Sequence, residues 1–392
     1  MKRHLLLSAS LFHAINDGAT VTIPMIFPIL YSQKYIITRY SHIGLLSNLG
    51  LIVTLISQIF IAQNDDRFQF KHFLLFSLSG IVITMAVFPA ASSFASLLLI
   101  YLLFRFFTSI YHPVGISWVS RTYSGTNLDF AMGIQTGSGD FGVFLAFVTT
   151  GYLAQRFGWK TPLFAFSAAA LFLGIVAALT ASRTSTRQER SPTYFSCWKE
   201  TYQKVRFYVP GLLFGGACWV TTVFYAPSLL HHHFGIPMGA TGLSLALWIG
   251  AGTAITYLYG PLSRKAGRHN ITLVGLTGST LSLLLLGFSE SRLGATLCLL
   301  LFGCFLFLIY PAIQSFVGQK VPKKNQTVAF SIIANIQMLA GAVSALISGF
   351  MSDYLGIKSP FVLLSLMGIL VTVYYFLKRG RLFTESRPPL ID

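Results

Sequence analysis

Apolar segments of about 20 residues recur along the whole 392-residue chain, and they constrain its fold more than any other feature. A helix needs roughly 20 mostly apolar residues to cross the hydrocarbon layer of a bilayer. Hydrophobic residues make up 54% of the sequence and charged residues 10%, which leaves too few polar side chains to coat a water-soluble globule. The sequence therefore predicts an all-α membrane protein with twelve transmembrane helices, near 5–31, 41–63, 72–90, 94–120, 128–154, 161–180, 207–230, 239–262, 270–289, 294–318, 326–351 and 359–378.

Membrane topology explains the formal net charge of +17 without nucleic-acid binding. Lys and Arg are enriched in the cytoplasmic loops of membrane proteins. The first apolar run is too long for the core of a signal peptide, so we expect a retained helix. We predict a monomer in the lipid bilayer of a bacterial inner membrane with both termini cytoplasmic. Most of the 28 basic residues then lie inside, and the other face carries Lys34, Arg39, Arg156, Lys160, Arg292 and Lys358.

A repeat with a fixed offset of 198 residues divides the chain into two halves. The segment 151–162 resembles 349–360, and the same offset aligns 66–71 with 264–269 and His112 with Tyr310. A duplication with an even number of helices per copy gives two parallel bundles related by an axis along the membrane normal. The predicted units are an N-terminal six-helix bundle (1–180), a cytoplasmic linker (181–206), a C-terminal six-helix bundle (207–380) and a cytoplasmic tail (381–392).

Two loops carry a motif by which the chain resembles the major facilitator superfamily of transporters. In that family, the loop after the second helix of a half reads glycine, three residues, an acid, a base, any residue, glycine, arginine. The second-half copy, 260–268, has Arg264 at the acidic position, and the first-half copy, 62–70, lacks both glycines. The resemblance implies a major facilitator fold, with two six-helix bundles around a central cavity that opens alternately to either side. It assigns gating to Asp66, Arg67, Gly260, Arg264, Gly267 and Arg268.

The first half also resembles the fosmidomycin-resistance branch of that superfamily. The resemblance lies in the segments 13–17, 28–30, 111–113 and 135–142. It implies transport of a small organic molecule, with export favoured over uptake, and it places Asn16 and Gln135 among the predicted substrate-binding residues. Arg105 and Asp140 depart from the branch, in which small and amide residues are usual at those positions.

Two of the eleven acidic residues, Asp17 and Asp140, fall inside predicted helices. A charged side chain at the bilayer centre costs about 2.5–3.5 kcal/mol, so it should be paired or face a polar cavity. The helical rise places Asp17, Arg105 and Asp140 near one depth in the first bundle. We predict a switchable ion pair in which Asp17 accepts a proton and Arg105 stabilises its ionised form or binds substrate. A permanent salt bridge is the alternative, and Asp140 either shares this chemistry or only bonds a neighbouring helix.

Two histidines lie near these charges in sequence. His13 is one helical turn before Asp17 and either relays protons or is simply hydrogen-bonded. His112 either binds substrate or passes protons, or it marks a kink at Pro113. The second half has no charged residue in its predicted helices. We expect it to supply hydrogen bonds and aromatic surface to the substrate through Tyr225, Tyr310, Gln314, Asn335 and Gln337.

No cofactor and no metal site are predicted. The four cysteines lack metal-ligand spacing, and the consecutive His231, His232 and His233 point in different directions with no acid nearby in sequence. No phosphate-binding loop is present. The predicted function is proton-coupled export of a small organic molecule, with uptake of a nutrient or of a metal-chelator complex as the alternative. A lipid-modifying membrane enzyme is less favoured, because the sequence shows no nucleophile or metal cluster at the membrane surface.

Overall fold

The computed structural model describes residues 3–63, 69–123, 126–180, 198–199, 202–203, 205–320 and 326–378, and its long elements are all helices. The first half contains α1 (Arg3–Ser32), α2 (Tyr40–Gln63), α3 (Phe70–Val87), α4 (Phe94–Thr108), α5 (Tyr111–Thr122), α6 (Thr126–Phe157) and α7 (Lys160–Thr180). The second half contains α8 (Val209–Ser228), α9 (Met238–Ala266), α10 (Arg268–Phe288), α11 (Arg292–Lys320), α12 (Gln326–Leu355) and α13 (Ser359–Leu377). Short helical turns at Phe88–Ala90, Arg206–Tyr208 and Leu229–His233 flank α3 and α8.

The fourth predicted helix is divided into α4 and α5 by a break at Ser109 and Ile110. Pro113 has no N–H to donate to the Ser109 carbonyl, and its ring crowds that turn. The Ser109 N–H and hydroxyl both donate to carbonyls of the last turn of α4 and so cap it. The kink is therefore present, and it redirects the chain just before His112.

Ten helices in the described part of the chain are long and apolar enough to cross a membrane. The predicted spans formed by α1 and α6 are not among them, because they carry polar residues that include Asp17, Gln135 and Asp140. These two helices pack against each other. Gly142 of α6 lies against the backbone of Ala14, where a Cβ would clash with the carbonyl oxygen. These two helices are thus neighbours, and buried polar side chains such as Asn16 and Gln135 lie within the protein.

Large apolar side chains cover the outside of both halves. Leu179 is 81% exposed, Phe288 75% and Leu370 71%. Contiguous exposed apolar surface of this kind is unfavourable in water and suits contact with lipid. The chain is therefore a multi-pass membrane protein whose apolar belt faces the bilayer.

The two halves meet at the end of the molecule that holds residues 33–39, 229–237 and 355–359, which we call the latched end. Here α2 packs on α12, α6 on α9 and α1 on α8. A Cβ on Gly349 would lie 2.8 Å from the Tyr40 carbonyl oxygen, and one on Gly151 would lie 2.6 Å from the Met238 carbonyl oxygen. Tyr40 and Met238 are separated by the same offset as Gly151 and Gly349. The predicted repeat is thus confirmed at these positions.

Candidate functional site

The side chains of His13, Asp17 and His112 meet between α1 and α5, and we call them the Asp17 cluster. His13 Nε2 lies 3.0 Å from Asp17 Oδ2, and His112 Nε2 lies 3.4 Å from Asp17 Oδ1. The four-residue spacing puts His13 and Asp17 on one face of α1. The kink before α5 brings His112 to the same carboxylate. Each residue was a predicted site residue, but the contact between His112 and Asp17 was not foreseen.

His13 is held firmly within the Asp17 cluster. Its Nδ1 lies 2.7 Å from the backbone oxygen of Gln135, and its ring stacks on Tyr111 with centroids 4.5 Å apart. The Tyr111 hydroxyl donates to the Ala9 carbonyl at 2.9 Å and accepts from Gln135 Nε2 at 3.0 Å. The same Nδ1 also lies 2.9 Å from Gln135 Nε2, so the tautomer of His13 decides whether Nδ1 donates to the Gln135 backbone or accepts from its side chain. Gln135 is itself buried, so in this conformation it orients His13 and does not line a cavity.

The Asp17 cluster is open on one side. The side chains of His112 and Asp17 are 42% and 21% exposed. Asn16 donates to Asp17 Oδ1 at 3.0 Å from within α1. A small solute can therefore reach the carboxylate and the His112 imidazole. Toward the N-terminus of α1, away from the latched end, a cavity of about 330 Å³ is lined by Arg3, Leu6, Leu7, Ser10, Ile134 and Ser138.

Arg105 does not form the predicted ion pair with Asp17. Among the residues that the structure describes, the two histidines of the cluster are the ion-pair partners of Asp17. Arg105 is 7% exposed, and its Nε donates to Thr54 Oγ1 at 3.2 Å. Its stem packs over Gly50, where a Cβ would lie 2.8 Å from Arg105 Cγ. The guanidinium is thus directed into the packing of α2 on α4, and imidazoles occupy the space beside Asp17.

Asp140 lies on the contact between the two halves. Its Oδ2 accepts a hydrogen bond from Thr253 Oγ1 of α9 at 3.1 Å. One turn along α6, Phe144 packs against Gly250 of the same partner helix. The two acidic residues inside the spans are therefore placed differently, because Asp17 pairs with two histidines of its own half whereas Asp140 bridges the halves.

The glycines of α6 serve different purposes. Gly142 permits close packing of α6 on α1. A Cβ on Gly139 would lie 2.7 Å from His13 Nε2 and 2.8 Å from Asp17 Oδ2, so this glycine makes room for the cluster. Gly133 faces open space. The sequence predicts Gly139 only as part of a close-packing face with Gly133, Gly137 and Gly142, and its place beside the cluster appears once α1 and α6 are placed side by side.

The second-half residues predicted to bind substrate differ in exposure. Tyr225 is fully buried, and its hydroxyl donates to the Ala345 carbonyl at 2.6 Å, so it joins α8 to α12 in this conformation. Gln314 is exposed, and Asn335 and Gln337 are half-buried. The three amide side chains are thus more accessible than Tyr225.

Tyr310 mirrors His112 in the second half. Its hydroxyl donates to the Gly215 carbonyl at 2.9 Å. Tyr310 and Gly215 are the repeat equivalents of His112 and Asp17. Both halves therefore have a contact at the same place, but the first half makes it with ionisable side chains.

Four aromatic rings pack together in the second half, and sequence reasoning named only Tyr310 among them. The centroid of Trp219 lies 5.2 Å from that of Trp248 and 5.9 Å from that of Phe307, and Phe307 lies 5.8 Å from Tyr310. Three helices contribute these rings. Aromatic residues are common throughout the chain, so spacing alone gave no signal.

The contacts between the halves at the latched end include a pair of helix caps that sequence reasoning also missed. The Asp353 carboxylate accepts the Tyr40 N–H at 2.7 Å and the Ser41 N–H at 3.0 Å. Gln155 Oε1 accepts the Gly239 N–H at 2.7 Å. Each acceptor satisfies free N–H groups at the start of a helix of the other half. The signal was present in the repeat, whose offset relates Gln155 to Asp353 and Gly239 to Ser41.

The three consecutive histidines make separate contacts. His232 Nδ1 lies 2.9 Å from the Tyr40 hydroxyl, and His233 Nε2 lies 3.8 Å from Glu290 Oε2. His231 Nδ1 lies 2.9 Å from a backbone oxygen. They therefore diverge, as consecutive helical positions must.

The predicted gating residues are only partly described. Asp66 and Arg67 lie outside the described residues. Gly267 has a φ of +80°, a conformation that favours glycine, and it separates α9 from α10. Arg264 is exposed, whereas Gly260 and Arg268 are partly exposed.

Known proteins match the chain both in sequence and in structure. The family model of the Major Facilitator Superfamily matches residues 6–345. The uncharacterized MFS-type transporter YfnC of Bacillus subtilis is 22% identical over 397 residues, which cover 97% of this chain and 94% of that protein. The uncharacterized MFS-type transporter MJ1560 of Methanocaldococcus jannaschii is 25% identical over 185 residues, which cover 44% of this chain and 47% of that protein.

Solved transporter structures share the fold. A bacterial homologue of the human lysosomal transporter Spinster, in an inward-facing and unoccupied conformation, superposes with a TM-score of 0.82 at 15% identity and covers 99% of this chain and 98% of that chain. The nucleoside transporter NupG has a TM-score of 0.77 at 13% identity, with coverage of 95% and 98%. The resemblance of the first half to the fosmidomycin-resistance branch stays a prediction. The chain belongs to the Major Facilitator Superfamily, and it is a membrane transporter, not an enzyme.

Proposed function

We propose that the chain is a secondary active transporter that exports a small organic molecule by alternating access and is driven by a proton gradient. The family supports secondary transport, and the exposed side of the Asp17 cluster gives a solute access to ionisable groups. The bias of basic residues supports a bacterial inner membrane with both termini cytoplasmic. This orientation places the latched end outside.

Asp140 is the proposed proton-coupling residue, and its hydrogen bond from Thr253 is the observation that carries the proposal. The bond joins α6 to α9, which belong to different halves. An ionised carboxylate only accepts hydrogen bonds, whereas a protonated one also donates. A proton on Asp140 therefore alters a contact between the halves. Because alternating access requires the halves to rock against each other, proton binding is linked to that motion.

The proposed substrate site is the Asp17 cluster. His112 and Asp17 are its accessible members, while Arg105 is held by Thr54 behind them. Tyr310 occupies the equivalent of the His112 position in the second half. Positions related by the pseudo-symmetry axis face the same central cavity in such folds. The substrate would thus meet charged groups of the first half and aromatic groups of the second.

Transport in proteoliposomes tests coupling and direction together. The purified full-length chain is reconstituted, and a panel of small organic solutes is screened with pH gradients of either sign. Export by exchange for protons predicts accumulation in inside-out vesicles when the lumen is acidic. Uptake together with protons predicts the opposite dependence on the gradient.

Asp140→Asn is the decisive variant. It should keep exchange of substrate across the membrane without a gradient, but it should lose accumulation driven by the gradient. Thr149→Val on the same helix is the matched control, because the hydrogen bonds of the Thr149 hydroxyl to described residues go to carbonyls within α6. If Asp140→Asn still accumulates substrate like the unmodified chain, Asp140 is not the proton-coupling residue. Asp17 is then the next candidate for that role.

A further inference from the structure

We propose that the Asp17 cluster binds a divalent transition metal ion through His13 Nε2, the Asp17 carboxylate and His112 Nε2. The transported solute would then be a complex of such an ion with a small organic chelator. The identity of the solute rests on the proposed function, because it assumes that the cluster is the substrate site. Metal binding itself is independent of transport and of the coupling proposed at Asp140.

The three donor groups already lie at distances that suit a shared ion. Their ligand atoms all fall within 4.8 Å of one another, and the two imidazole nitrogens lie 3.0 Å and 3.4 Å from the carboxylate oxygens. Zinc binds imidazole nitrogen and carboxylate oxygen at about 2.0–2.2 Å, which separates neighbouring donors by about 3.3 Å in a tetrahedral site. Small side-chain rotations are sufficient to place an ion among them.

The surroundings of His13 match those of a metal-ligating imidazole. Such histidines commonly donate the N–H of the second ring nitrogen to a carbonyl or carboxylate, which fixes the tautomer and the ring orientation. His13 Nδ1 lies 2.7 Å from the Gln135 backbone oxygen, which accepts such an N–H in the tautomer protonated at Nδ1, and Tyr111 stacks on the ring. The ring nitrogen placed to bind a metal is Nε2, because it is the one that faces Asp17.

His13 Nε2 is also a buried polar atom that pairs with an Asp17 oxygen 3.0 Å away without making a well-aligned hydrogen bond to it or to another described residue. Buried nitrogen and oxygen atoms in native proteins are nearly always satisfied, so each exception requires an explanation. A cation between His13 and Asp17 would satisfy the imidazole lone pair and the carboxylate together.

The donor set also indicates which ions bind and in what form. Imidazole suits zinc, copper, iron and nickel, whereas magnesium and calcium prefer oxygen donors. Three protein ligands leave at least one coordination position open. The His112 side chain is 42% exposed, so the open position is accessible to donor atoms of a small chelator. A metal-chelator complex is thus recognised through the ion itself.

Calorimetric titration of the full-length protein in detergent micelles, with any affinity tag removed, tests the site with Zn²⁺ as the probe. We expect one Zn²⁺ per chain and no competition from Mg²⁺. His112→Ala, Asp17→Asn and His13→Gln should each weaken Zn²⁺ binding by at least about tenfold, the effect typical of losing even an outer-shell partner. Bound Co²⁺ should show the visible absorption bands of nitrogen and oxygen ligation.

The matched control is the double substitution His233→Ala with Glu290→Gln, which removes the histidine–carboxylate contact at the latched end and should leave Zn²⁺ affinity unchanged. His112→Ala keeps the test decisive if the buried His13 variant does not fold, because the His112 side chain is partly exposed. Absence of Zn²⁺ binding, or unchanged binding in the cluster variants, overturns the proposal. Proton-driven transport is measured in a separate experiment. Failure of the metal site is therefore distinguishable from failure of the proposed transport function.

Discussion

Gln155 and Asp353 occupy equivalent positions in the two halves, and each caps a helix of the opposite half. Gln155 accepts the Gly239 N–H at 2.7 Å, and Asp353 accepts the Ser41 N–H at 3.0 Å. The same offset separates the two acceptors and the two donors. One contact is neutral and the other is charged. The charged contact should be the stronger, because a carboxylate complements the positive end of a helix dipole.

Asp353→Ala should shift the protein toward the state in which the latched end is open. The substitution leaves the N–H groups of Tyr40 and Ser41 without their acceptor. Hydrogen bonds to a charged group contribute about 1.5–3 kcal/mol, and the exposure of Asp353 favours the lower value, which is about a tenfold change in population. Spin labels at Gln33 and Ser291, in loops of opposite halves, report the change as longer distances.

Gln155→Ala provides the comparison for the charged contact. A neutral hydrogen bond contributes about 0.5–1.5 kcal/mol, so the shift should be smaller than for Asp353→Ala. Equal shifts for the two variants would contradict the difference in strength. No shift for either would show that these contacts do not hold the latched end closed.

Topology is tested at the two ends of α10 (Arg268–Phe288). On a background without the four native cysteines, Glu290→Cys should react with a membrane-impermeant thiol reagent added to intact cells, whereas Asn270→Cys should react only after lysis. The reason is the bias of basic residues, which places the loop after α10 outside. Both positions are exposed, so unequal access to thiol reagent reflects sidedness. The reverse pattern would invert the topology.

The helices and the repeat were predictable because both depend on the order of residues along the sequence. Apolar length marks a span, and a fixed offset aligns Gly151 with Gly349 whatever the fold between them. The helical rise also gave the depth of Asp17 and Arg105. It did not give the direction of the Arg105 side chain, which depends on the space above Gly50. The sequence indicated the depth of the Arg105 side chain in the membrane but not the direction in which it points. For this reason the predicted pair of Asp17 with Arg105 was wrong for this conformation.

The contacts of His112 were harder to predict. In a continuous helix, the seven-residue spacing would place Arg105 and His112 on much the same face. The break at Ser109 and Ile110 changes the face on which His112 lies. Pro113 signalled that a kink was possible, although its angle depends on how the freed Ser109 carbonyl and its neighbours pack. The meeting of His112 with Asp17 therefore required the three-dimensional arrangement of α1 and α5.

Arg105→Met should keep proton-driven transport but lower stability. Arg105 bonds Thr54 and packs over Gly50, so the variant loses a hydrogen bond made by a charged group, about 1.5–3 kcal/mol. Thermal unfolding in detergent should occur at a lower temperature, while gradient-driven accumulation persists. Loss of accumulation at unchanged stability would instead mean that Arg105 pairs with Asp17 in another state of the transport cycle.

Gly139→Ala should disrupt the Asp17 cluster without unfolding α6. An added Cβ would lie 2.7 Å from His13 Nε2 and 2.8 Å from Asp17 Oδ2, so at least one of these side chains must move. Alanine is favoured over glycine inside a helix by roughly 0.5–1 kcal/mol, which offsets part of the strain. Substrate affinity should fall while the chain still expresses and elutes as one species. Gly133→Ala is the matched control on the same helix, because its Cβ would enter open space. Substrate affinity is measured for both variants. Equal affinities would mean that the Asp17 cluster does not contact the substrate.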